Sequence, residues 1–539
     1  MLNKIRSYHV TRKARRILSL LASALFMLVV TAIMLETGQR TETVKVVSNA
    51  IHAIVLGPGI GEYTYETKLI KDNRGVPLNA SRTDKSTPNI VDLVNNLQDS
   101  YPNLTKISLI VSWYAGSTNI AEAHLAPMVE SKTGPDWQVG DYTRTTAEVT
   151  SPGTKAKPNS SGTPTDQSII DLCLLLNKRG IAVTLYPNIL IKDTDRHLQQ
   201  TMTFQNEDDI KAFFDDYEKF IMHYAALEYK GKRLSENISA IIIASDMKLL
   251  TDYKNDQNEY VAVNQLIKLA AMVRNEVGSK VKISYAANWS EYHRTNDDWY
   301  NLDALWADKN IDFVGINAYF PITVNTPADK DISPEAVAQG WNNHEDNNSA
   351  VADQDLLPKP EIAIKNIEAW WKKPHQNPDG KMSSWRPKMK PIVFNEVGFT
   401  AIDHTSDDPA KSLGAYSKDK GLPNGSNGIV DPKFQYNAIL GTIQFTESLF
   451  AQPDNEGILE GLFWYNIDPR GPSPDWIHNH ELKVSDLEKG FFHKLQKLDA
   501  KDLEEFPEYE FFQSEQSVID MFRSKLRKMM YSTSMGMLF

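Results

Sequence analysis

Eight runs of apolar residues recur along the chain, separated by longer polar or amphipathic stretches: IHAIVL (51–56), KISLIVSWY (106–114), IAVTLYPNIL (181–190), ISAIIIAS (238–245), VKISYAANW (281–289), IDFVGINAY (311–319), PIVFNEV (391–397) and EGLFWYNI (460–467). The runs are continuous rather than alternating, as parallel strands covered on both faces require. Two of the intervening stretches read as helices with defined ends. TPTDQSIIDLCLLLNKRG offers Thr163 as a cap, Pro164 in the first turn and Asp166 near the positive end, and stops at Gly180. AVNQLIKLAAMVRNEVGS sets Leu266, Leu269, Ala270 and Val273 on one stripe and ends at Gly278. Eight strands alternating with helices predict an α/β fold, a (β/α)8 TIM barrel, over residues 50–497. Residues 115–165 and 320–362 are polar and rich in Pro, Gly and Asn, and read as long loop insertions walling a site.

The two ends depart from this pattern. Lys4, Arg6, Arg12, Lys13, Arg15 and Arg16 precede an uncharged apolar run from Ile17 to Leu35. About 20 apolar residues cross a bilayer's hydrocarbon core, so residues 17–35 are expected to form a transmembrane helix, with the basic flank in the cytoplasm. A cleaved signal peptide is the alternative, but no clean cleavage site follows Leu28. Residues 1–49 are thus read as flank, anchor and spacer. Residues 498–539, acidic and then amphipathic with Arg523, Lys525, Arg527 and Lys528 together, are read as a C-terminal helical tail.

Composition narrows the function. The 539 residues carry a formal net charge of −11, which argues against a nucleic-acid partner. The lone cysteine, Cys173, sits among apolar neighbours and excludes a disulfide framework or a zinc cage. The glycines of GPGIGEY (57–63) lack the spacing and following helix of a nucleotide site, and read as a turn. His124, His293, His375, His404 and His478 are scattered, so neither a metal nor a cofactor is expected.

Candidate chemistry lies at strand ends, where a barrel of this kind keeps its active site. Asp246 closes the fourth strand and Glu396 the seventh. Two carboxyls facing each other there can flank a glycosidic bond, one protonating the leaving oxygen while the other attacks the anomeric carbon or activates water. Each acid alone could equally be a helix cap or a loop hydrogen-bond partner. Trp113, Trp289, Tyr292, Tyr319, Trp464 and Tyr465 also fall at or just past strand ends, and flat rings beside acids and amides suit sugar faces. The candidate catalytic residues are Asp246 and Glu396. The candidate substrate-binding residues are Trp113, Asn288, Trp289, Asn317, Tyr319, Asn395 and Trp464.

The order AIVLGPGIGEYTYET, LIVSWYAG, GTPTDQSIIDLCLLLNKRGIAVTLYP, ISYAANWSEYH, LDALWADKNIDFVGINAYFPI, WWKKPHQNPDG and KPIVFNEVGF resembles the glycoside-hydrolase TIM-barrel-like domain of alphaproteobacterial gene transfer agents and phage tails, over residues 50–480. The resemblance implies a barrel related to retaining glycosidases, carried in a tail-hub protein that opens or grips the cell envelope. It places Asp246 at the acid/base position and Glu396 at the nucleophile position. Four departures stand out. Ser245–Asp246 replaces Ser-Glu, Asn288 replaces Asp, Asn317–Ala318 replaces Asp-Asn, and AGSTN after Trp113 replaces an acidic pair. An Asp carboxyl lies about 1.5 Å short of a Glu carboxyl, and a misplacement of that order can cost ~100-fold in rate. Two readings follow. The first is a hydrolase of cell-envelope polysaccharide (peptidoglycan or surface glycan) held in the inner membrane through residues 17–35, with the barrel outside the cytoplasm. The second is a non-catalytic barrel, either a structural tail or baseplate piece with phage-tail-like partners or a glycan-binding module anchored to the membrane. A phage-like particle or secretion is the alternative location.

Overall fold

The eight apolar runs become eight parallel strands, and pairing between the first and last closes them into a barrel. The computed structural model describes residues 47 and 49–469, except 58, 82–83, 151–160, 193–196, 324–331, 343–364, 400–402, 410–425, 427–431 and 468. The strands are β1 (Ala53–Leu56), β2 (Lys106–Ala115), β3 (Ala182–Ile191), β4 (Ala240–Ser245), β5 (Lys282–Asn288), β6 (Val314–Asn317), β7 (Ile392–Val397) and β8 (Leu459–Ile467). Each pairs in parallel with its sequence neighbours, and β1 pairs with both β2 and β8. This is a (β/α)8 TIM barrel. Its interior is filled by Ala53, Val55, Ile110, Tyr186, Ala240, Ile242, Ala286, Phe313, Val393 and Phe463, with residues from every strand or its immediate flank. Small residues against Tyr and Phe fill the interior as a packed core rather than a pore.

The outer layer includes helices α1 (Asn89–Ser100), α2 (Asp166–Lys178), α3 (Glu207–Ala225), α4 (Val261–Val277) and α5 (Pro432–Phe450). The cap of α2 is Thr165, whose hydroxyl accepts from the Ser168 N–H, and not the expected Thr163. Thr163 instead donates to the Ser112 carbonyl, tying the loop before α2 to the tip of β2. Asn206 caps α3 ahead of Glu207, Asp208 and Asp209, which sit where the helix dipole favours negative charge. Helix α4 closes at Gly278, as its sequence predicts.

The glycine-rich stretch after β1 is a turn laid against β2. Gly59 has φ +75°, and a Cβ there would lie 2.5 Å from the Ile110 carbonyl oxygen, so only glycine fits. The next buried group, Glu62, grips the insertion between β2 and α2. Its carboxylate takes a bidentate pair from Arg144 at 3.0 and 2.6 Å, and also the Glu130 N–H at 2.6 Å. Arg144 in turn donates to the Tyr63 hydroxyl and to the Ser131 and Pro135 carbonyls. Removing one partner of a buried ion pair strands the other charge, at about 3–5 kcal/mol. Arg144→Met is therefore expected to release the insertion. Limited proteolysis should cut within residues 116–150 of the variant and spare them in the wild type; equal resistance of both would contradict the pin.

Residues 1–46 and 470–539 lie outside the described residues, and with them the expected anchor at 17–35 and the expected C-terminal helix. Among the described residues no helix is long and apolar enough to cross a membrane.

Candidate active site

The register of three adjacent strands sets the core of the site. Asn288 of β5 is the Cα partner of Asn317 in β6, and Asn317 is the partner of Glu396 in β7. Asp246 follows β4 directly, and its N–H donates to the Ala286 carbonyl of β5 at 2.9 Å. The sequence explains why the chain can turn there. Asp246 has φ +51°, a left-handed conformation that Asp and Asn tolerate better than most side chains. In that conformation its carboxylate meets two amides: Asn317 Nδ2 donates to Oδ2 at 2.7 Å and Asn288 Nδ2 to Oδ1 at 3.2 Å.

Asn317 Nδ2 also reaches the Tyr186 hydroxyl oxygen, at 3.1 Å. The Tyr186 hydroxyl, from β3, donates to Asn317 Oδ1 at 3.4 Å, and Glu396 Oε2 accepts from the Tyr319 hydroxyl at 2.6 Å. Asn317 thus holds Asp246 with its side chain and is the strand partner of Glu396, which brings the two acids close enough to interact. Both carboxyls are partly exposed, whereas the phenol of Tyr186 between them is buried.

Electrostatics couples the two carboxyls. Burial lifts Asp246 to about 7, with the Glu396 charge adding to the rise, while the Asn317 and Asn288 amides pull the other way. Burial likewise lifts Glu396 to about 7, opposed by the Tyr319 and Tyr186 hydroxyls. Two mutually repelling carboxyls near neutrality hold one proton between them. Glu396 accepts the Tyr319 phenol and Asp246 accepts two side-chain amides, so each carboxyl has donors for its ionised form. The arrangement supplies one acid and one base or nucleophile.

A carboxyl whose pKa is higher in the folded than in the unfolded chain stabilises the fold below its unfolded value. That contribution is lost as pH rises toward the folded value. For Glu396 the window runs from 4.5 to about 7. Glu396→Gln removes the titration while keeping the shape, so it is expected to melt about 2–5 °C above wild type at pH 8 and to lose most of that advantage at pH 5. Melting curves at the two pH values check this; an advantage of equal size at both would contradict it.

The other predicted site residues divide. Asn288 and Asn317 hold Asp246, and Tyr319 holds Glu396. The amides at 288 and 317 are therefore the groups that grip Asp246. Asn395 is buried beside Gly315, where a Cβ would lie 2.3 Å from its Nδ2 and from the Tyr285 carbonyl oxygen. Pairing of β7 with β8 is irregular between Phe394 and Val397, and such a bulge re-aims consecutive side chains. Trp289 is 8% exposed and lies 6.1 Å from the Phe320 ring.

Two tryptophans expected to seat a sugar are committed elsewhere. Trp113 turns out of the barrel against α3: its Nε1 donates to the Tyr224 hydroxyl at 3.1 Å, and its ring lies 5.1 Å from Phe220. Trp464 is 2% exposed and stands between Phe463 and Tyr465, which both face the interior, so strand alternation turns it to the outer face. Tyr465 takes the place expected of Trp464, its ring edge-on to Tyr319 at 6.2 Å. Tyr292, also expected at the rim, is fully buried against Phe320 and Trp370.

Sequence reasoning missed Tyr186 and Glu291. Tyr186 is a tyrosine in the middle of an apolar strand, and only the strand register could have flagged it. Glu291 has no exposure, and its carboxyl accepts from the Thr251 hydroxyl at 2.5 Å, the Tyr285 hydroxyl at 2.7 Å and the Asn288 N–H at 3.0 Å. Among the described residues, no group of three or more His, Cys, Asp or Glu is placed to hold a metal ion.

The family model of the GTA TIM-barrel-like domain matches residues 215–355 and 344–460. That span holds Asp246, Asn288, Asn317, Tyr319 and Glu396. No curated protein matches the sequence. Among solved structures, a GH113 β-1,4-mannanase is similar at 12% identity and a TM-score of 0.44, covering 86% of this chain and 99% of its own. The GH113 β-mannanase AaManA from Alicyclobacillus acidocaldarius in complex with ManMIm is similar at 15% identity and 0.38, covering 76% and 90%. The hyperthermostable endo-1,4-β-D-mannanase from Thermotoga petrophila is similar at 11% identity and 0.35, covering 81% and 98%.

Proposed function

We propose that this chain, whose residues 215–460 match the GTA TIM-barrel-like domain, is a glycoside hydrolase acting on cell-envelope glycan, peptidoglycan or a surface polysaccharide. Asp246 protonates the glycosidic oxygen, and Glu396 attacks the anomeric carbon or activates the water that does so. The observation that carries this reading is the convergence of the two carboxyls on Asn317, which donates to Asp246 and is the strand partner of Glu396, with both acids lifted to about 7. Asn288 and Asn317 fix the acid, Tyr186 braces Asn317, Tyr319 fixes the base, and Trp289 and Tyr465 offer rings to the sugar. In this reading the apolar segment 17–35 anchors the protein in the inner membrane and holds the barrel outside the cytoplasm, against its substrate.

A second reading, a barrel that binds glycan or tail-like proteins without turnover, draws on the shorter acid at 246. The gripping of that acid by two amides favours the catalytic reading. Incubating the chain with purified envelope glycans separates the two: new reducing ends support hydrolysis, and retention of glycan without product supports the second reading.

A further inference from the structure

Asp246 sits in a left-handed turn that an ordinary strand end would avoid, so something must hold it there. The peptide groups on both sides of its Cα are tied to β5. The Asp246 N–H donates to the Ala286 carbonyl at 2.9 Å, and the Met247 N–H donates to the Tyr285 hydroxyl oxygen at 2.7 Å. That hydroxyl can accept because its own proton goes to Glu291, at 2.7 Å. Glu291 Oε2 meanwhile fixes the Asn288 N–H at 3.0 Å, and the Asn288 side chain reaches Asp246. Glu291 thus touches both arms that grip Asp246 without facing the sugar.

We infer that Glu291 is a positioning residue for Asp246: its buried carboxyl, gathered by Thr251, Tyr285 and the Asn288 backbone, holds the turn that aims the acid toward Glu396. This inference rests on the hydrolase reading for its catalytic meaning, but not for its geometry. A fully buried carboxyl is costly to keep, and a residue serving only to pack would be better apolar. Burial lifts Glu291 to about 7, the three donors pull it down, and the Asp246 charge pushes it up again. The repulsion is mutual, so an ionised Glu291 helps Asp246 retain its proton. The titratable groups facing this pair are Tyr186 from β3, Tyr285 from β5 and Glu396 from β7.

The test labels the full-length chain with a water-soluble carbodiimide and an amine across pH 5–9, reading modification of Asp246 by peptide mass spectrometry. Carbodiimide reacts with protonated carboxyls, so wild-type labelling should be half-maximal near 7. Glu291→Gln should lower that midpoint by about half a unit or more. Tyr285→Phe keeps the ring but frees the Met247 N–H, and should lower kcat on a cleaved glycan by ~10-fold with KM within about twofold. Should Glu291→Gln fail to fold, Thr251→Val withdraws one donor, favours protonated Glu291 and should lower the midpoint in the same direction. A wild-type chain that labels as expected but cleaves no glycan sinks the hydrolase reading and leaves this one standing. A cleaving enzyme whose folded Glu291 or Thr251 variant labels at the wild-type midpoint, and whose Tyr285→Phe turns over like wild type, overturns this inference alone.

Discussion

Glu396→Gln is expected to lower kcat/KM on a cleaved glycan by at least ~10³-fold while leaving the fold intact and KM within a few-fold. The amide has the shape of the carboxyl and can still accept from Tyr319, so the sugar should be bound much as before. What disappears is the negative charge that attacks carbon or takes a proton from water. In the proposed mechanism Asp246 is the proton donor and does not replace that charge. Steady-state kinetics on any substrate the wild type cleaves decides the matter. A variant within tenfold of wild type would remove Glu396 from the mechanism.

Asp246→Asn should behave differently, and the difference identifies the acid. On a natural glycan, whose leaving oxygen is strongly basic, loss of the proton donor should cost about 10²–10⁴-fold. On an aryl glycoside with a nitrophenol leaving group, which departs without protonation, the loss should be under ~10-fold. Equal losses on both substrates would assign Asp246 another role. Activity of the wild type should follow a bell centred near 7, because protonation of Glu396 ends it on the acid side and ionisation of Asp246 on the alkaline side. Asp246→Glu is also informative. Asn317 and Asn288 close on the aspartate carboxyl, so an added methylene should push it out of their reach and slow the reaction.

Much of the barrel was legible because parallel strands write themselves as unbroken apolar runs, and each of the eight runs is a strand within a few residues of its expected ends. Asp246 and Glu396 were legible for a related reason: each is an acid placed where such a run stops. The same property hid the direction of individual side chains. A strand covered on both faces carries apolar residues inward and outward alike, so nothing in KISLIVSWY or EGLFWYNI shows that Trp113 and Trp464 face outward while Tyr465 faces in. Tyr186 was concealed in the same way, its phenol reaching the site from inside an apolar strand. Thr163 and Thr165 both suit a helix start, and only the hydrogen bond to the Ser168 N–H distinguishes them. Glu291 was visible only as a letter in a family signature, since its meaning depends on Thr251 and Tyr285, remote in sequence and adjacent in space.

The most direct test measures new reducing ends released from a panel of purified bacterial envelope glycans by the wild-type chain, beside a folded Asp246→Asn/Glu396→Gln double variant. Release from at least one glycan by the wild type, with none from the double variant, is the predicted result. Glycan binding by both proteins without release by either, or equal release by both, would contradict the central claim that these two carboxyls cleave a glycosidic bond.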